Sequence, residues 1–332
     1  MVRSIHQLAG TGLLSPLAYN DGKTLARVGG EEEHTNMAQV TLPVRQEGFG
    51  ATTRRDAWWL GPLLTVLGLA AFVIYSMVIV FSVPGHFEIR ANTAHFFQTG
   101  NRVVSPYLAP FSSPLIYDEI SPHAWIHSGR PSWWPSWFPF SSAMLILIFP
   151  AGFRLTCYYY RKAYYRAFWA DPPACAVGEP RKSYWGENHW PLLFQNIHRY
   201  FLYAALVFIV FLSWDVLLAL RWPVAWDEKG TPTAYQFGMG LGTLLMLINV
   251  LLIAGFTFGC NSLRHLVGGR LDCFSCPNNV AQARGGYKVW RCVSWFNERH
   301  ALWAWLSLFS VGFTDFYIRM CAAGHWHDVR FF

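Results

Sequence analysis

Five stretches of twenty or so almost uninterrupted apolar residues limit what this chain can fold into. They run from about Trp58 to Ser82, Trp137 to Tyr158, His198 to Leu220, Tyr235 to Phe258 and Leu302 to Cys321. About twenty apolar residues at about 1.5 Å of rise each cross the hydrocarbon layer of a bilayer. In that layer each backbone N–H and C=O must be satisfied within its own segment, which selects helices. Hydrophobic residues make up 53% of the chain and charged residues only 14%, too few for an ordinary soluble domain. The expectation is an all-α integral membrane protein, a bundle of about five transmembrane helices. Tryptophan and tyrosine crowd the ends of the runs, where amphipathic rings settle at headgroup depth. A net charge of +7 would otherwise invite nucleic acid, but the basic residues flank the spans instead of forming one soluble basic face, so nucleic acid is set aside.

Charge in the short connections sets the expected orientation. Arg161, Lys162 and Arg166 follow the second run, and Arg264, Arg270, Arg284, Lys288, Arg291 and Arg299 follow the fourth. The connection after the third is balanced, with Arg221 and Lys229 against Asp227 and Glu228. With five spans every basic segment falls on one side, expected to be the cytoplasmic face of a bacterial inner or plasma membrane. Residues 1–56 then form a cytoplasmic arm, polar and without the apolar core of a signal peptide. Residues 57–321 form the membrane domain, with a long outer loop at 83–136 and inner loops at 158–197 and 259–299, and 322–332 is an outer tail. Six of the seven cysteines, all but Cys321, fall on or just under the cytoplasmic side. That clustering is the main reason to expect chemistry there.

Cys157 ends the second span, His198 opens the third, Cys260 follows the fourth with His265 five positions on, and His300 opens the fifth. Antiparallel neighbours bring these residues to a similar depth. Two thiolates and two imidazoles there can hold a Rieske-type [2Fe–2S] centre. Two facing histidines can instead bind haem b, and packing residues at a membrane edge are the plain alternative. Cys273 and Cys276 form a CxxC pair that fits zinc, iron–sulfur or a redox thiol pair, with Cys292 and Cys175 as candidates to complete it. Within the spans, Asp215, Asp315 and Arg319 are costly in lipid; Asp315 and Arg319, four apart, can pair, marking either a lined cavity and proton path or a structural bridge. Arg154, with Tyr159, Tyr160, Tyr164 and Tyr165 around the inner end of span two, can polarise a quinone carbonyl and hydrogen-bond it, or simply anchor the helix. No GxxxxGK or GxGxxG pattern is present, so no nucleotide site is expected. An ion-coupled transporter would use the intramembrane acids, yet it predicts repeats or broken spans and leaves the cysteines without a role.

The segments RLTCYYYRKAYYRAFW (154–169), PPACAV, FQNIHRYF, GCNSLRHLVGGRLDC and NERHALWAW, with TDFYIR beyond, resemble the membrane-anchor subunit of a succinate dehydrogenase of the actinobacterial, mycobacterial type, which has a single anchor chain. The resemblance covers roughly Trp58 to Arg319. It implies a cytoplasmic FAD-bearing flavoprotein that oxidises succinate to fumarate, and an iron–sulfur subunit that passes electrons to this chain. It also implies reduction of menaquinone or ubiquinone in the helix bundle, and a Rieske-type [2Fe–2S] cluster in place of haem. Tyr165 and Arg154 are then the candidates for an inner quinone pocket, and Asp215, Asp315 and Arg319 for an outer pocket or proton route. Only His198 and His300 sit at credible span positions, which argues against a dihaem anchor and leaves one haem open. The chain offers no flavin or succinate site, so it contributes to activity only inside the complex.

Overall fold

The computed structural model describes residues 48–81, 97–99, 102–104, 107–118, 124–138, 140–181, 183, 186, 188–190, 192–226, 232–269, 280–323 and 325–332. The chain is an all-α membrane protein whose described residues include four helices long and apolar enough to cross a bilayer, and a fifth crossing if a bent helix pair is one span. The helices are α1 (Leu60–Phe81), α2 (Ser142–Ile146), α3 (Ile148–Thr156), α4 (Tyr158–Phe168), α5 (His198–Leu218), α6 (Leu241–Phe258), α7 (Asn261–Gly268), α8 (Val280–Glu298) and α9 (His300–Ala322). Among the described residues, strand is confined to two hairpins, β1 (Phe97–Thr99) with β2 (Arg102–Val104), and β3 (Arg221–Trp226) with β4 (Pro232–Phe237).

The centre of the bundle is the pair α6 and α9, with α5 against α6 and α3 against α5. The buried positions of α9 (Ala304, Ser307, Leu308, Val311, Thr314, Asp315, Ile318) recur at three and four residues, one face of a helix. Its partner α6 buries Gly242, Thr243, Met246, Asn249, Val250, Gly255 and Phe256. Small residues on such faces let helix backbones approach where lipid removes the hydrophobic drive for association. By contrast α1 buries only Ile79, as expected of an apolar helix with lipid around most of its surface.

The structure refines the sequence expectation at several points. The second span is not one helix ending at Tyr158: the α2–α3 segment and α4 meet at a 76° bend, because Cys157 takes an extended conformation (φ −64°, ψ 130°) that breaks the hydrogen-bond ladder. The fourth span starts at Leu241 instead of Tyr235, because Tyr235 and its neighbours pair with β3, Arg221 opposite Phe237 and Trp222 opposite Gln236. The 83–136 loop is not all surface. Tyr107, Phe111 and Leu115 are buried, and a tight turn at Pro110–Ser112 packs on α9. Within the expected inner connection 259–299, the described residues form α7 and α8, which pack on each other through Arg264, whose Nε donates to Ser294 Oγ (2.9 Å) beneath the Trp290 ring. The last residues of the expected arm fasten to the stretch after α4: Gly50 N–H donates to Gly178 O, Gly178 N–H to Ala51 O, and Thr52 Oγ1 to Ala176 O. A Cβ at Gly178 would lie 2.0 Å from Gly48 O, so this approach requires glycine.

Candidate functional site

Two cysteines sit at matching breaks. Cys157 separates α3 from α4 and Cys260 separates α6 from α7, each extended (φ −64°, ψ 130° and 131°) and each buried. Each therefore precedes the first turn of a new helix, whose N–H groups have no partner within the helix and favour a thiolate. Burial pushes the Cys260 thiol up, and the Leu263 and Ser262 amides at the start of α7 pull the other way.

Two histidines meet these sulfurs from the starts of other helices. His198, first residue of α5, places Nε2 3.2 Å from Cys260 Sγ, and His300, first residue of α9, places Nε2 3.4 Å from Cys157 Sγ. Each ring lies against a phenylalanine: Phe153 on His198 (centroids 4.8 Å, 5° between planes) and Phe256 on His300 (4.8 Å, 18°). Both cysteines belong to one buried cluster with Phe153, Tyr160, Leu202, Phe256, Ala304 and Leu308. The far nitrogens differ. His198 Nδ1 is 2.8 Å from Thr156 Oγ1, whereas His300 Nδ1 is buried with no hydrogen-bond partner among the described residues. No three or more His, Cys, Asp or Glu side chains among the described residues converge as ligands of one ion. The arrangement is two thiol–imidazole pairs, which together supply two thiols and two imidazoles, the donor types that could hold a mixed histidine–cysteine iron–sulfur centre.

Arg154 lies beside this cluster on α3. Its guanidinium donates to Tyr160 Oη (2.6 Å), Ser307 Oγ (3.0 Å) and Ala304 O (3.4 Å), and it faces the Phe256 ring at 4.9 Å. Tyr160 Oη in turn donates to Ala304 O (2.6 Å). All of these partners are neutral, so a positive charge stands within an aromatic wall next to the thiol–imidazole pairs. Close packing sets the wall: a Cβ on Gly152 would meet the Phe201 ring at 2.4 Å, so α3 reaches α5 only through glycine.

The other expected site residues lie apart from this set. His265 is exposed on α7. Cys175 is exposed after α4, where its carbonyl accepts from Arg54 Nη1 (3.0 Å). Cys292 is exposed on α8, and Cys273 and Cys276 lie outside the described residues. Tyr165 is buried on α4, its Oη 3.4 Å from Gln195 Oε1 and its ring against Tyr164 and Trp169; the tyrosine that meets Arg154 is Tyr160.

Asp215, Asp315 and Arg319 stand at the opposite end of the bundle. Asp215 is 17 residues along α5 from His198, about 25 Å at 1.5 Å per residue. Asp315 and Arg319 form the expected pair (2.5 Å), and both are buried. Asp315 also accepts from Tyr75 Oη (2.7 Å) and Phe111 N–H (2.9 Å), and Arg319 donates to Ser112 Oγ (3.1 Å). Ser113 donates to Asp215. The turn at 110–113 is thus held between α5 and α9 by three ionisable groups. Nothing in the run FRLTC singles out Thr156 or Phe153, and Ser307 and Phe256 look like span-lining residues; only their placement against the histidines and Arg154 shows their part in the site.

With this geometry in place, comparison with known proteins gives two matches. The family described as actinobacterial succinate dehydrogenase subunit SdhC matches residues 60–324. A chain of the solved structure "Mycobacterium smegmatis Sdh1 complex in the apo form" is similar, with 38% sequence identity and a TM-score of 0.63, over 88% of this chain and 98% of that one. No curated protein matches.

Proposed function

Because the chain belongs to the family of actinobacterial succinate dehydrogenase SdhC subunits, it is a membrane subunit of a succinate dehydrogenase, and from that premise we propose that it reduces quinone at an end of the bundle built to hold a [2Fe–2S] centre. The observation that supports this most is the pair of thiol–imidazole contacts, 3.2 Å and 3.4 Å, supplied by two helix breaks and two helix starts. Cys157, His198, Cys260 and His300 are the donors. When bound, such a centre supplies a one-electron carrier, and imidazole ligands raise its potential towards that of a quinone acceptor. A haem held by both histidines would need both Nε2 atoms directed at one iron, whereas here each faces a sulfur.

The remaining residues define the quinone end of the reaction. Arg154 presents a fixed guanidinium to a carbonyl oxygen that gains negative charge during reduction, the arrangement in which preorganised donors lower a barrier most. Tyr160 and Ser307 hold that guanidinium in place, and the Phe256 face keeps water from it. The substrate is menaquinone or ubiquinone. The partners are the other subunits of complex II: a flavoprotein that oxidises succinate and an iron–sulfur subunit seated at the cytoplasmic face, the side of the basic segments around α4, α7 and α8. On this orientation the Asp315–Arg319 end faces outward.

The test is EPR of the dithionite-reduced complex, purified anaerobically, with haem absorbance read in parallel. A rhombic signal with average g near about 1.9, beyond those of the iron–sulfur subunit, and its loss on His198→Ala or Cys260→Ser, supports the assignment. Haem bands without that signal, or no signal beyond the soluble clusters, would remove it.

A further inference from the structure

Resting on the reading that the thiol–imidazole pairs hold a [2Fe–2S] centre, we propose that Thr156 is a positioning residue that fixes the tautomer of His198, so that Nε2 carries the free lone pair offered to iron. Thr156 is the last residue of α3, immediately before the break at Cys157. Its Oγ1 lies 2.7 Å from Gly152 O and 2.8 Å from His198 Nδ1. The hydroxyl has one proton and the carbonyl can only accept, so the proton goes to Gly152 O and the hydroxyl oxygen accepts from Nδ1–H. A neutral imidazole protonated on Nδ1 has its lone pair on Nε2, the atom 3.2 Å from Cys260 Sγ.

Two contacts therefore set this ligand independently. The parallel Phe153 ring fixes the plane of the imidazole, and Thr156 fixes which nitrogen points along it towards the sulfur. His300 has the stacking contact but no partner for Nδ1 among the described residues. The two imidazoles are thus unequal, one preset and one not. A partner on the distal ring nitrogen is what orients a metal-bound histidine and raises its basicity. The break at Cys157 puts the hydroxyl beside the sulfur partner of His300 as well, so two adjacent residues, Thr156 and Cys157, serve both halves of the site.

The intact complex tests this with Thr156→Val, which keeps the shape and removes the hydroxyl, and Thr156→Ser, which keeps the hydroxyl. The readouts are the EPR g values of the additional cluster and its rate of loss to a chelator. Thr156→Val is expected to shift the g values and hasten loss by about 10- to 100-fold, and Thr156→Ser to behave as wild type. A Thr156→Val complex with wild-type spectrum and chelator resistance overturns the proposal. Should Thr156→Val fail to assemble, nitrogen hyperfine spectra of the wild-type complex labelled with histidine carrying 15N at Nδ1 decide. Strong coupling confined to unlabelled Nε2 supports the assignment, and strong coupling from labelled Nδ1 overturns it. A wild-type complex with no additional cluster removes the parent reading itself, an outcome distinct from a cluster that is present and indifferent to Thr156.

Discussion

α9 carries polar side chains at both ends and treats them differently. At one end Asp315 accepts from Arg319, Tyr75 Oη and the Phe111 amide, and Arg319 also reaches Ser112. At the other end His300 touches one sulfur, and its second nitrogen is buried without a partner among the described residues. A buried network whose members are all bonded rigidifies a core, whereas a buried group left short of partners calls for an explanation such as a bound group. The comparison teaches that the buried charges at one end of α9 hold the 110–113 turn to the helices, whereas the thiols and imidazoles at the other end are only sparsely paired.

The comparison can be broken from either side. The largest effect is expected from Asp315→Ala, which takes the carboxylate away from the buried Arg319 guanidinium. The cost should be about 3–5 kcal/mol, read as a lower unfolding midpoint of the detergent-solubilised complex, with the cluster EPR of the folded fraction unchanged. A stable complex with lost quinone reduction would instead make this end catalytic. Next is Arg154→Met, which removes the guanidinium and keeps the apolar stem. Turnover with quinone should fall about 100- to 1,000-fold while succinate oxidation by an artificial acceptor persists. Equal loss in both assays would move Arg154 from the quinone to assembly.

Gly152→Ala sharpens the comparison at the thiol–imidazole end. The added carbon meets the Phe201 ring, so stability should drop by up to about 3 kcal/mol, and the EPR line shape should change because Phe153 and Thr156 move with α3. An unshifted spectrum would show that α3 does not position the ligands. The smallest effect is expected from Tyr107→Phe, near the C-terminal end of α9. Tyr107 Oη donates to Asp328 (2.7 Å), which also accepts from Tyr317 Oη (2.7 Å) and the Gly242 amide (2.9 Å). With those two bonds intact the loss should be about 1.5 kcal/mol in unfolding, with no change in turnover.

The helices of the bundle were readable because apolar runs of this length leave the backbone no choice but to satisfy itself locally. Their ends were less so. Tyr235 belongs to a hairpin because Arg221 to Trp226 lie opposite it, a partner that no local pattern at Tyr235 announces. Cys157, His198, Cys260 and His300 could be picked out by position because helix ends at one depth are a consequence of antiparallel spans. Which sulfur meets which imidazole depends on two extended residues, at Cys157 and Cys260, and on the direction in which the chain leaves them.

By itself, then, the sequence determined that this chain crosses a membrane as helices, where its basic segments lie and which side chains have the chemistry to bind a metal, since these follow from composition and spacing along one dimension. The tertiary structure alone decided the pairing of thiols with imidazoles, the partner of His198 Nδ1, the contact of Tyr160 with Arg154 and the burial of the 110–113 turn against Asp215, Asp315 and Arg319. Each of these is a contact between residues far apart in the chain. Such contacts are set by how closely glycines such as Gly152 let helices approach and by where a helix breaks, and neither distance nor bend angle is written in the order of the residues.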